Sequence, residues 1–257
     1  TGIHLSSFGV DRETEKIDAN SFVKLQGKYL LTLLKNMAQV EGIERLRLGS
    51  LEPRIITEEF VKNLSEIPEV CPHFHLSLQS GCDETLRRMN RHYTSQDYLQ
   101  RVELLRKYFD HPAVTTDIIV GFPGETQEQH EEVMEFIDTL EFDRLGAFTY
   151  SPEEDTPAAT FEDQIDEEVK KQRRDAIMEL QQEIAFEKAE DMKGRVLEVM
   201  IEGKVADENA FVGRTYKDAP NVDGLIFVNA DVPLMSGDFC RVRVTGALEY
   251  DLIGELM

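Results

Sequence analysis

The chain has 257 residues, enough for one large domain or for one medium and one small domain, and with 41% of them hydrophobic and 30% charged it has the balance of a soluble globular protein. Acidic residues number 50 against 28 basic ones, a net charge of −22, so a nucleic-acid binder built on a broad basic face is disfavoured and a basic partner or a local contact patch is expected. No apolar run reaches the ~20 residues of a membrane span, and residues 1–10 lack the basic start and apolar core of a signal peptide, so a cytoplasmic protein is expected.

Residues 1–5 (TGIHL) read as the end of a strand entering a loop, which leads us to expect a cut start. Residues 22–39 follow a helical pattern, and 45–51 (RLRLGSL) alternate like a short strand. Thr57 can cap a helix that runs to Leu64 with acids in its first turn. Residues 74–78 form the next strand, followed by helices over 83–90 and 95–109. Residues 115–122 (TTDIIVGF) are apolar enough to predict a strand buried on both faces. A helix over 126–140 starts at Thr126, and 144–150 (RLGAFTY) is another strand. This strand–helix alternation predicts a parallel α/β sheet or barrel. After a Pro- and acid-rich loop at 152–165, a long charged helix spans 166–192, with Val169, Ile177, Leu180, Ile184 and Phe186 as its apolar stripe. From residue 193 the pattern changes to five short β runs separated by Gly, Asn and Asp, which predicts a small antiparallel β-barrel and a domain boundary near 192.

In a parallel α/β barrel, ligands bind at the carboxyl ends of the strands. Ser50 and Glu52 fall there, as do Gln79, the turn Gly121-Phe122-Pro123-Gly124-Glu125-Thr126, and Phe148 with Tyr150. The two glycines of that turn allow a tight bend and close backbone approach to a ligand, and Glu125 stands at the mouth of a helix. Asp117 sits mid-strand in an apolar run and needs a partner. Gln79 can hydrogen-bond a ribose or a carboxylate, and Arg91 can hold a carboxylate. Cys71, Cys82 and Cys240 are widely separated, which fits a reducing cytosol and buried thiols better than a disulfide framework. His73 and His75 share one face of a strand, but two histidines and a cysteine are a weak metal signal, and no metal site is expected in this chain. No nucleophile elbow, phosphate loop or zinc-protease motif occurs.

The phrases TGIHLSSFGVD, GSLEPRIIT, HFHLSLQSGCDETLRRMNRHYT, TTDIIVGFPGET and AFTYSPEEDTPAA resemble those of the radical S-adenosylmethionine methylthiotransferases, and residues 193–257 resemble a TRAM domain. The likeness covers essentially the whole chain. It implies an α/β fold, a partial TIM-like radical SAM barrel over 1–192 followed by a TRAM-like barrel over 193–257. It also implies binding of S-adenosylmethionine, 4Fe–4S clusters in a longer parent, an adenosyl radical, and installation of a methylthio group on an unactivated carbon, with an electron donor and a sulfur source as further partners. Ser50, Glu52, Gln79, Arg91, Asp117, Gly121, Gly124, Glu125, Phe148 and Tyr150 become the expected cofactor contacts. The family's cluster cysteines have no counterpart among Cys71, Cys82 and Cys240, so this chain alone is expected to be inactive.

Residues 1 to about 120 most resemble the branch that modifies threonylcarbamoyladenosine next to the tRNA anticodon. Residues from about 140 onward (MELQQEI, GRTYKDAPNVDG, TGALEYDLIGEL) resemble the branch that methylthiolates an aspartate of a ribosomal small-subunit protein. Residues 193–257 hold seven basic and eleven acidic residues, so 7 − 11 = −4, a better surface for a basic ribosomal protein than for tRNA. The ribosomal aspartate is therefore the expected target, with tRNA as the alternative. A non-catalytic, TRAM-bearing binding module is the competing reading from another class.

Overall fold

The computed structural model describes residues 4–12, 21–206 and 208–257, and the chain divides into two compact units, Thr1–Gln181 and Gln182–Met257. Residues 1–3 of the expected strand end lie outside the described residues, and Leu5–Ser7 form a single 3-10 turn.

The helical pattern after residue 20 is realised as two helices, α1 (Ser21–Leu25) and α2 (Lys28–Ala38). Gln26 and Gly27 between them have φ of 45° and 69°. A Cβ at position 27 would lie 2.4 Å from the Phe60 ring on α3 (Glu58–Ser65), so the helix breaks where its backbone must pass that ring. Helix α3 starts as the sequence predicts, with Thr57 Oγ1 accepting from the Phe60 amide.

Three parallel strands, β1 (His73–His75), β2 (Ala113–Val120) and β3 (Arg144–Thr149), lie side by side in chain order. Helices α4 (Asp83–Arg88) and α5 (Ser95–Tyr108) join β1 to β2, and α6 (Gln127–Leu140) joins β2 to β3. Capping boxes built on Thr94 with Asp97 and on Thr126 with Gln129 start α5 and α6. The expected strand at 45–51 is reduced to isolated parallel bridges, Leu46 with Val70 and Leu51 with Leu76. The offset between partners changes from 24 (70 − 46) to 25 (76 − 51), and a one-residue slip prevents a continuous ladder.

Strand β2 departs from the expectation of two apolar faces. Val114, Ile118 and Val120 are fully buried on the helix side, with Phe74 of β1, Tyr98, Val102 and Leu105 of α5, and Val133 and Ile137 of α6. The Phe74 and Phe109 rings meet at 4.9 Å, and Tyr98 lies edge-on to Phe136 and Phe142. Thr116 is the one polar residue of β2 on this side; its hydroxyl donates to Leu76 O (2.6 Å) and accepts from the Leu78 amide. The opposite face carries Thr115, Asp117 and Ile119, and there Asp117 and Ile119 are only half-buried. The second face of β2 is therefore partly open, unlike the two-sided burial usual for a strand in a parallel sheet.

Helix α7 (Glu167–Glu190) buries a stripe that differs from the apolar one read in the sequence. Ile177 and Ile184 are buried as expected, but Lys170, Arg173 and Gln181 are buried with them, as are Ala185 and Ala189. Val169, Leu180 and Phe186 are half-buried flanks.

The second unit is a closed barrel of five strands: β4 (Val196–Lys204), β5 (Ala210–Arg214), β6 (Ile226–Asn229), β7 (Phe239–Leu248) and β8 (Asp251–Leu256). The order around the barrel is β4-β5-β6-β8-β7. All five strands fall where the sequence places them, with one correction: β6 pairs with β8 in parallel, so the barrel is not wholly antiparallel. Val199, Ile201, Phe211, Ile226, Val228, Val242 and Val244 form its core, and alternation on β7 sends Arg241 outward between Cys240 and Val242.

So small a barrel has no room for side chains at every inward position. A Cβ at Gly254 would sit 2.4 Å from Val242 Cγ1 and 2.9 Å from the Arg243 carbonyl oxygen, whereas one at Gly203 meets nothing within 4 Å. Gly254→Ala should therefore lower barrel stability by about 1–3 kcal/mol. Gly203→Ala should leave the urea midpoint near the wild-type value; equal midpoints for the two variants would contradict this packing account.

Candidate active site on the open face of the sheet

Parallel register places His75 beside Thr115 and Asp117 beside Gly146. On the open face, His75 Nδ1 lies 3.0 Å from Thr115 Oγ1, and His75 Nε2 lies 3.4 Å from Asp117 Oδ2. The carboxylate expected to need a partner thus has one, and its side chain is still 43% exposed. Gly146 lets the Asp117 carboxylate and the Phe148 ring come together over it, because a Cβ there would be 3.1 Å from Asp117 Oδ1 and 3.0 Å from the Phe148 ring. Phe148 is 56% exposed on the same face. The result is a shallow cradle with an acceptor carboxylate and an aromatic side chain on its walls. Gln79 follows β1 with φ of 74°, a left-handed conformation rare for a residue with a side chain. Its amide donates to Asp117 O and its carbonyl accepts from Ile119, both at 2.9 Å, so this strained residue is tied to β2 beside Asp117.

A second group gathers at the carboxyl ends of β2 and β3. Glu125 is 5% exposed; its Oε1 accepts from the Gly121 amide (3.0 Å) and from Arg173 (2.7 Å). Burial pushes its carboxyl above the usual range, against the opposing pull of the Gly121 amide and the Arg173 guanidinium. Gly121 has φ of 69°, and the space a Cβ would fill is taken by Lys170. Gly124 faces the Arg88–Asp163 ion pair in the same way. The close approaches for which the sequence reserves these glycines are made to protein side chains. Tyr150 packs edge-on to Phe122, and its carbonyl accepts from Lys170.

The other expected residues stand apart from both groups. Ser50 accepts through its carbonyl from the Leu5 amide, and both carboxylate oxygens of Glu52 are engaged by Arg54. Arg91 follows the left-handed Asn90 at the end of α4, and its amide closes that helix on Leu86 O. Sequence reasoning missed His75 as the partner of Asp117, and also Lys170 and Arg173. The signal for the last two is present: positions 170, 173, 177, 181 and 184 recur at helical spacing of three and four.

Residues 23–137 match the Radical SAM superfamily model and residues 194–257 the TRAM domain model. A ribosomal protein uS12 methylthiotransferase (RimO) of Lachnoclostridium phytofermentans is 47% identical over 233 residues, 90% of this chain and 53% of that protein. Another from Desulfitobacterium hafniense is 43% identical, covering 90% of this chain and 52% of that protein. The chain therefore carries a Radical SAM match followed by a TRAM match, and it is similar to part of these methylthiotransferases. It spans about half the length of the curated relatives it matches. The first of these matches covers 90% of the chain, so it runs through both the front part and the back part that resemble different branches of the family. A solved structure of coproporphyrinogen III oxidase (HemN) from Escherichia coli aligns with a TM-score of 0.47 at 19% identity, over 67% of this chain and 39% of that one.

Methylthiotransferases of this family use S-adenosylmethionine and 4Fe–4S clusters, and the two groups fit this chain differently. The cradle at Gly146 offers an acceptor carboxylate and an exposed ring, a suitable wall for a hydroxylated, heteroaromatic ligand. The cysteines do not suit a cluster. Cys71 and Cys82 are buried, Cys240 lies in the other unit, and burial raises the Cys82 thiol away from the thiolate form a ligand needs. Among the described residues no group of His, Cys, Asp and Glu is arranged to hold a metal. His73 and His75 are engaged elsewhere: Arg47 lies 2.9 Å from His73 Nε2, and burial followed by Arg47 holds the His73 pKa down to about 3.

The Glu125–Arg173 pair yields a test with a definite pH sign. The folded-state pKa of Glu125 lies above the unfolded value, so stability falls as pH rises through the window between them. Arg173→Met strands the carboxylate and widens that window. The variant should lose about 3–5 kcal/mol near neutral pH. The loss should shrink as the pH falls and the carboxyl is protonated. Urea titrations at several pH values measure it, and a pH-independent loss would contradict the assignment.

Proposed function

We propose that this chain provides the S-adenosylmethionine-binding part and the TRAM domain of an enzyme that adds a methylthio group to an aspartate of a ribosomal small-subunit protein. The observation that carries the reading is the match, over 90% of the chain, to relatives named ribosomal protein uS12 methylthiotransferases. In this reading the barrel portion with its long helix runs to residue 192, and the TRAM-like barrel follows from 193. The acidic balance of residues 193–257, −4 in net charge, supports a basic protein substrate over tRNA. A cytoplasmic site of action is part of the proposal; among the described residues no helix is long and apolar enough to cross a membrane.

S-adenosylmethionine, when bound, supplies the adenosyl and methyl groups on which the family's chemistry runs. This chain's residues bind and orient it. Asp117, fixed by His75, accepts hydrogen bonds from ligand hydroxyls, Phe148 covers a ring, and Gln79 adds a polar contact beside Asp117. Gly121, Gly124, Glu125 and Tyr150 form the strand-end rim, with Ser50, Glu52 and Arg91 further along the same end. The cluster, the electron donor and the sulfur source belong to the longer parent, because the cysteines here do not suit cluster ligation.

The test is to supply the intact parent enzyme, reduced and cluster-loaded, with ribosomal small-subunit protein and with tRNA in separate reactions, and to follow methylthio transfer by mass spectrometry. Modification of the protein is expected. Modification of tRNA alone would establish the alternative branch suggested by residues 1 to about 120, and modification of neither would favour a binding module. Asp117→Asn, which keeps size but loses the acceptor charge, should weaken S-adenosylmethionine binding by about tenfold.

A further inference from the structure

Helix α7 contributes two buried cations to the carboxyl ends of β2 and β3, and neither is needed for an ordinary helix-on-sheet contact. Lys170 is 2% exposed and Arg173 is 7% exposed. Burying an ammonium and a guanidinium is costly unless each is fully used. Lys170 Nζ donates to Tyr150 O (3.0 Å) at the end of β3 and to Glu167 (2.6 Å), and it sits 5.5 Å from the centre of the Tyr150 ring. Its stem occupies the space a side chain at Gly121 would fill. Arg173 donates to both the carbonyl oxygen (3.0 Å) and the carboxylate (2.7 Å) of Glu125, whose carboxylate in turn accepts from the Gly121 amide. One helix face therefore fixes the backbone at 121, 125 and 150 together. Three buried polar atoms among these residues and their neighbour His130 (Arg173 Nε, Tyr150 Oη and His130 Nδ1) have no protein partner, so the cluster is not a closed structural network.

We propose that Lys170 and Arg173 are positioning residues for the S-adenosylmethionine site: they set the strand-end backbone at Gly121, Glu125 and Tyr150 from behind without touching the ligand. The proposal rests on the reading of this strand end as the ligand rim. It explains why the two glycines and the glutamate of the turn are spent on protein contacts, since they are the sockets through which α7 holds the rim. It also explains the cationic stripe, because two carbonyl oxygens and a carboxylate at strand ends require donors.

The experiment uses the full 257-residue chain and three variants: Lys170→Met, the double variant Glu125→Gln/Arg173→Met, and the exposed control Lys171→Met. The double variant removes the stranded charge, so it folds where Arg173→Met alone could fail. S-adenosylmethionine affinity by equilibrium titration is compared with the urea midpoint and with the Gly121 amide resonance, which reports the bond to residue 125. The control should match wild type in all three. Lys170→Met and the double variant should bind about tenfold more weakly, the Gly121 resonance should move in the double variant, and that variant's urea midpoint should stay close to wild type. Wild-type affinity in both would overturn the proposal, as would losses of affinity that only track losses of stability. Absence of binding by the unaltered chain would instead remove the ligand reading on which the proposal rests, and the proposal with it.

Discussion

Strand β2 is apolar towards the helices and polar towards the opposite side, and the first unit is arranged around that asymmetry. Val114, Ile118 and Val120 face a helix layer of Tyr98, Val102, Leu105, Val133 and Ile137, where each buried large side chain contributes about 1.5–3 kcal/mol. The residues between them, Thr115, Asp117 and Ile119, must then point the other way, because successive side chains of a strand alternate. That alternation, fixed by the parallel register with β1 and β3, is what brings His75, Asp117, Gly146 and Phe148 to one surface. A register slip of one residue would send Asp117 into the helix layer and remove the cradle.

The strand ends are held by a different device. The turn after β2 has the form of a ligand-binding loop, yet its glycines and its glutamate are occupied by Lys170, by the Arg88–Asp163 pair and by Arg173. On the proposed reading, binding and positioning are divided between the two sides of the same backbone. The open side carries Asp117 and Phe148, the residues proposed to meet a ligand, and the far side presents carbonyls and a carboxylate to α7. A rim held by buried charges tolerates little change, since loss of one partner leaves the other unpaired in a low-dielectric setting.

Much of this was legible in the sequence, for reasons that can be named. Capped helices α3 and α6 begin at the threonines that the sequence marks, because a cap is a local hydrogen bond between neighbours. All five barrel strands are found where short β runs alternate with turn residues, but the parallel pairing of β6 with β8 is a long-range choice that no local pattern encodes. The break at Gly27 follows from the Phe60 ring, more than thirty residues away (60 − 27 = 33), and for that reason escapes a helical-period reading. Asp117, Gln79 and Phe148 were singled out by strand-end logic and by family resemblance, and the structure places Asp117 and Phe148 on one face with Gln79 tied to β2 beside them. Lys170 and Arg173 were not, because charged residues on a charged helix are read as solvated unless their spacing is followed through Ile177 and Ile184.

One face of the β1–β3 sheet is core, and the other is the face proposed to take a ligand. Amide and side-chain NMR shifts of the full chain during titration with S-adenosylmethionine test it most directly. Shifts concentrated at His75, Gln79, Asp117, Gly146 and Phe148, with Val102, Leu105, Val133 and Ile137 unmoved, are the predicted result. Shifts confined to the helix layer or to the five-stranded barrel would contradict it.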